Sequence, residues 1–116
     1  MKRSAKLAIL GVALAFVLAG LAGLTARSGR AKPGEHRVTL SWQPPANAKA
    51  EKVIGYNVYR GIKPGGPYAI QASRVPTPGY VDKNVESGKT YYYVITSVDE
   101  SGHESKQSQE IRTTIP

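Results

Sequence analysis

From His36 onward, apolar and polar residues alternate in short runs. HRVTLSW (residues 36–42) sets Val38, Leu40 and Trp42 on one face and Arg37, Thr39 and Ser41 on the other, the period of a half-buried strand. Pro44 and Pro45 end it, because neither can donate to a ladder. Residues 46–52 could form a helical turn but are too short for a stable helix. In Ile54–Arg60 the alternation returns, with Ile54, Tyr56 and Val58 opposed to Asn57 and Tyr59. Gly61 to Pro67 (GIKPGGP) is dense turn chemistry. Tyr68–Gln71 and Tyr80–Asp82 are short strands separated by the proline-bearing RVPTPG. Tyr91–Val98 is the longest β run, and Gln109–Ile115 follows it. Six short strands with turns between them, and no helical period to compete, predict an all-β antiparallel sandwich or small barrel.

The first third of the chain follows another rule. MKRSAK precedes an uncharged run from Leu7 to Leu24, a basic start before an apolar stretch. As a helix, 18 residues from Leu7 to Leu24 reach about 27 Å, against a hydrocarbon core of roughly 30 Å. The expectation is an N-terminal hydrophobic helix acting as an uncleaved signal anchor (residues 1–25, apolar span 7–24). The alternative is a signal peptide cleaved after Ala22, where Gly20 and Ala22 are small. Either way the remainder is exported, as a single-pass membrane protein with its domain outside the cytoplasm or as a secreted one. Residues 26–35, polar and Gly/Pro-bearing, read as a tether, and residues 36–116 as the single domain that this length supports.

Charge and cysteine content narrow the function classes. Residues 1–32 hold six basic groups and no acid, whereas 33–116 hold ten basic and eight acidic, a net of +2. The high pI therefore reports the N-terminal segment, and no nucleic-acid partner is expected. The absence of cysteine removes disulfides, thiolate metal sites and cysteine nucleophiles together.

VTLSWQPP, IGYNVYR, GGPY, YVD, SGKTYYYVITSVDESG and EIRTTIP, in that order, resemble a fibronectin type III domain over about residues 36–116. The resemblance implies two packed antiparallel sheets of immunoglobulin-like topology without disulfides. It implies that Trp42 is the core tryptophan of the second family strand. Gly88 and Tyr91 match the corner where a tyrosine hydrogen-bonds back across a turn. The family's first strand has no clear counterpart ahead of VTLSW. It is either vestigial or supplied by the tether, and an open sheet edge there would invite pairing.

No catalytic site is expected. His36 and His103 are the only histidines, and neither G-x-S-x-G nor H-E-x-x-H occurs. Asp99, Glu100, His103 and Glu104 crowd one polar turn, but their spacing matches no calcium loop or zinc signature, so no metal or cofactor is expected. The tyrosines sort by parity. If Tyr91 points inward, Tyr93, Ile95 and Ser97 follow it, and Tyr92, Val94, Thr96 and Val98 point out. In the fold that the resemblance implies, the neighbouring strand's outward Asn57 and Tyr59 lie beside Tyr92 and Val94. These four form the candidate binding face, weighed against outward tyrosines that merely suit a pleated surface. The expected function is a non-catalytic exported interaction or spacer module, membrane-held through Leu7–Leu24, with a protein partner. The alternative is a secreted accessory module binding polysaccharide or cell wall.

Overall fold

The computed structural model describes residues 23–30 and 34–116. The expected N-terminal helix and membrane span fall almost wholly on residues 1–22, outside the described residues. Seven strands run in the order β1 (Thr25–Gly29), β2 (Arg37–Ser41), β3 (Val53–Gly61), β4 (Ala69–Val75), β5 (Gly79–Asp82), β6 (Thr90–Asp99) and β7 (Ile111–Thr114). They form two antiparallel sheets, β1-β2-β5 and β4-β3-β6-β7, and no α-helix occurs among the described residues. Thr25, Ser41 and Gly79 share one end of the first sheet; Ser28, Val38 and Asp82 lie toward the other.

Period-two alternation fills the space between the sheets. Val38, Leu40 and Trp42 meet Tyr56, Val58, Tyr91, Tyr93 and Ile95 from the other layer, with Val85 and Ile115 closing the lower end. A fully enclosed side chain such as Leu40 or Ile95 contributes about 1.5–3 kcal/mol. Trp42 stands edge-on to Tyr56, ring centroids 5.3 Å apart.

Three elements depart from the alternation. Thr25–Gly29, spanning the end of the expected anchor and the first residues of the expected tether, is strand β1, paired with β2 from Thr25↔Ser41 to Gly29↔Arg37. Leu24 and Ala26 pack against the core, so the family's first strand is present and covers the β2 edge. Ile54, expected on the inner face with Tyr56, is exposed. The β3–β6 register slips between Val53↔Asp99 and Gly55↔Val98, leaving Ile54 as the extra residue of a bulge. Strand β4, expected to stop at Gln71, continues to Val75 because the prolines that break it come only at 76 and 78. Its Arg74 sits at φ 53°, with its N–H donating to Asn57 Oδ1 at 3.0 Å. Gly55 passes so close beneath that a Cβ would lie 3.0 Å from the Arg74 carbonyl carbon.

At the corner before β6, Gly88 adopts φ +81° and donates its N–H to Ile115 O at 2.9 Å. The Tyr91 hydroxyl accepts the Glu86 N–H at 2.9 Å. Strand β7 pairs only with Thr90–Tyr93. Above it two serines extend the ladder. Ser108 N–H donates to Ile95 O at 2.8 Å while its hydroxyl accepts Ile95 N–H at 2.9 Å. Ser105 does the same with Ser97, at 2.9 and 2.8 Å.

Candidate interaction face

The outer face of the four-stranded sheet gathers the residues singled out by parity. Across β3 and β6, Asn57 lies opposite Thr96, Tyr59 opposite Val94 and Gly61 opposite Tyr92. Ile70 of β4 flanks Tyr59, and Arg112 of β7 flanks Tyr92. Adjacency does not make all four accessible. Tyr59 and Tyr92 are half-buried, but Val94 is 2% exposed and Asn57 9%. The expectation that Asn57 and Val94 present themselves to a partner is corrected: both lie on the outer face but are covered.

Two carboxylates from the segment before β7 account for much of this. Glu104 folds down onto the sheet, accepting Asn57 Nδ2 at 2.9 Å, Thr96 Oγ1 at 2.7 Å and the Tyr59 hydroxyl. Burial alone would raise its pKa, but those three donors outweigh burial and hold it below the usual value. Tyr59 is pushed up, by burial first and then by the anionic partner. Toward the opposite end of β3, the β3–β4 loop turns back over the sheet. A Cβ on Gly61 would meet Pro67 O at 2.7 Å and Tyr68 Cδ1 at 3.0 Å. Glu110 ties that loop down, accepting Gly65 N–H at 2.7 Å and the Tyr68 hydroxyl, and Tyr68 is raised to about 12 by burial and this bond. Glu104 lies on no alternating run, and Glu110, inside the expected strand Gln109–Ile115, falls one residue ahead of β7, so strand parity carried no signal for what either carboxylate holds. What stays open is a strip of Ile70 (50% exposed), Tyr59 and Tyr92, rimmed by Arg112. Two tyrosines beside an apolar side chain, Tyr59 held through its hydroxyl by Glu104, suit a contact surface.

A second polar cluster lies inside the sandwich. Asp82, 1% exposed, accepts Arg60 Nη1 at 2.8 Å, the Tyr93 hydroxyl at 2.7 Å and Asn84 N–H at 3.0 Å. Arg60 also donates to Asn84 O at 3.0 Å and lies 5.0 Å from the centre of the Tyr91 ring. Burial disfavours the guanidinium's charge, but the Asp82 carboxylate outweighs it and raises Arg60 above its ordinary value. Tyr93 is raised by burial, then by the bond to Asp82. The cluster joins β5 of one sheet to β3 and β6 of the other, and its role is architectural. Its signal was available in parity, since Tyr80 and Asp82 share the inward face.

The remaining candidates do not converge. Asp99 Oδ1 closes its own turn by accepting Ser101 and His103 N–H, each at 2.9 Å. His103 Nδ1 lies 3.4 Å from Asp99 Oδ2, Glu100 reaches Lys52 at 4.0 Å, and Glu104 points to the sheet. Among the described residues no three His, Cys, Asp or Glu side chains are placed to share a metal ion. His36 lies before β2 and His103 in the turn after β6, at opposite ends of the sandwich.

A family model described as "Fibronectin type III domain SaeA third domain" matches residues 29–115. An amylopullulanase of Thermoanaerobacter thermohydrosulfuricus is 38% identical over 82 residues, covering 71% of this chain but only 5% of that enzyme. Among solved structures, an Fn3-like protein from Clostridium thermocellum superposes with a TM-score of 0.63 at 28% identity, over 84% of this chain and 95% of that one. A β-1,2-glucanase from Parabacteroides distasonis gives 0.57 at 32% identity, over 83% of this chain and 13% of that one.

Proposed function

Because the chain belongs to the fibronectin type III family, we propose that it works as an exported, non-catalytic interaction or spacer module, engaging a protein partner through the outer face of its four-stranded sheet. The observation that carries this reading is the strip of Ile70, Tyr59 and Tyr92, two of its side chains aromatic and Tyr59 held by Glu104. A fixed side chain loses little entropy on binding, which is why rigid aromatics anchor interfaces. Export is supported by the basic start and the apolar run behind it.

The test is site-specific photo-crosslinking in the native cell envelope. A photoreactive residue at position 92 or 70 should give partner adducts, and one at Thr39, on the outer face of the other sheet, should not. Equal labelling from both faces, or none from either, refutes the assignment.

A second reading is favoured by the relatives: the chain resembles short segments of an amylopullulanase and of a β-1,2-glucanase. On that reading the same strip lies against a polysaccharide as an accessory surface. Affinity electrophoresis through gels containing pullulan or a β-glucan separates the two. Retardation lost on Tyr92→Ala supports the polysaccharide; unretarded migration in every gel removes it.

A further inference from the structure

Leu24 is claimed by two environments. In the sequence it is the last residue of the apolar run, and a membrane anchor of the expected length needs it in lipid. In the fold it packs against the sandwich core beside Ala26, one residue ahead of the first ladder pair, Thr25↔Ser41. It cannot occupy both. Gly23 sharpens the conflict: its φ of +73° is left-handed, so a right-handed helix arriving from the N-terminal side must stop before it. Without Gly23 and Leu24, the run from Leu7 to Ala22 reaches about 24 Å as a helix, short of the roughly 30 Å hydrocarbon core. The truncated run has instead the layout of a cleavable leader. Its most apolar part, Leu7 to Leu18, falls in the 7–15 residue range of such segments, and Gly20 and Ala22 supply small residues two apart.

We infer that the Ala22–Gly23 bond is a processing site and that the mature protein begins at Gly23. The step is hydrolysis by a membrane-bound endopeptidase of the export machinery selective for small residues. Water adds across the amide, leaving a carboxylate on Ala22 and an ammonium on Gly23. The cut falls where the leader ends and the sandwich begins. β1 is kept whole, Leu24 stays in the core, and the new amino terminus lies beside Gln43, whose Cγ is 3.5 Å from where a Gly23 Cβ would stand. The inference rests on the exported reading and replaces the anchor expected from run length alone.

The experiment expresses the full chain in an export-competent bacterium, separates membranes from released protein, and determines intact mass and N-terminal sequence. The expected product begins at Gly23 and lies outside the membranes. Uncleaved chain in the membrane, its domain open to external protease, overturns the inference and leaves the exported reading standing. A domain shielded from that protease in intact cells overturns both. A cut inside β1, such as after Ala26, also overturns it. Ala22→Arg leaves residues 23–116 unchanged and is expected to block release; normal release of this variant counts against the site. Leu24→Ser decides which environment holds the side chain. The Tm of the released domain should fall by about 4–8 °C, and an unaltered Tm would remove Leu24 from the core and the argument with it.

Discussion

Asp82→Ala should be the most damaging single substitution among the buried polar residues. The carboxylate is 1% exposed and accepts from three donors on three segments. Its removal leaves the Arg60 guanidinium without its counter-charge and the fully buried Tyr93 hydroxyl without its acceptor. Breaking a buried charge pair from one side costs about 3–5 kcal/mol. A domain of this size loses about 4–8 °C of Tm per kcal/mol, which places the fall at about 12–40 °C. Asp82→Asn keeps acceptors for Tyr93 and Asn84 but cannot neutralise Arg60, so about 1.5–3 kcal/mol is expected. The triple change Arg60→Met, Asp82→Leu, Tyr93→Phe removes the unpaired guanidinium and hydroxyl together, leaving only the Asn84 N–H, at an exposed residue that water reaches, without its acceptor, and should be more stable than Asp82→Ala. Urea unfolding measures all three, with m held constant as the check that only stability moved. A cost below about 1 kcal/mol for Asp82→Ala, or a triple variant no better than the single, would refute the account of this cluster.

Tyr91→Phe deletes the acceptor of the Glu86 N–H and should cost about 1 kcal/mol in the same assay. Gly61→Ala forces a Cβ to within 2.7 Å of Pro67 O, so a loss of about 1–3 kcal/mol is expected. The displaced loop should also release Tyr68, read in an alkaline phenolate titration as ionisation returning from about 12 toward 10. For Glu104 the sign follows from its lowered folded pKa. The stabilisation it gives is complete above the ordinary value of 4.5 and is lost as pH falls through the lower folded value. Melts across that acid window should show a decline that Glu104→Gln flattens; identical acid limbs would show that the carboxylate is not held by Tyr59, Asn57 and Thr96.

Strand parity carried the fold because period-two alternation is a local property. Val38, Leu40 and Trp42 could be aligned without knowing their partners, and so could Tyr91, Tyr93 and Ile95. Exposure of the outer face is another matter, since it depends on segments far along the chain. Asn57 and Val94 point outward as parity requires, yet Glu104 lies 47 residues beyond Asn57, and no pattern near β3 announces it. Strand β1 stayed hidden for a related reason. TARSG is polar on its exposed side and lends only Ala26 to the core, with Leu24 just ahead of it, so its pairing with β2 overrides a composition that reads as linker. Ile54 marks the same limit at the scale of one residue, where a bulge reverses the face that alternation assigns.

The placement of the two end strands has a mechanical consequence. β1 begins beside Ser41, whereas the chain leaves β7 near the far end of β1, where Ser28, Gly29 and Pro116 line a common cleft. Tension applied through the two ends therefore runs along the strands and loads the β1–β2 and β6–β7 ladders in shear. Their hydrogen bonds must then yield together; pulling a hairpin open from its mouth would break them one by one. Under such a load the edge strands β1 and β7, five and four residues long, are the first elements to slide, and the β3–β6 pair at the centre is the last.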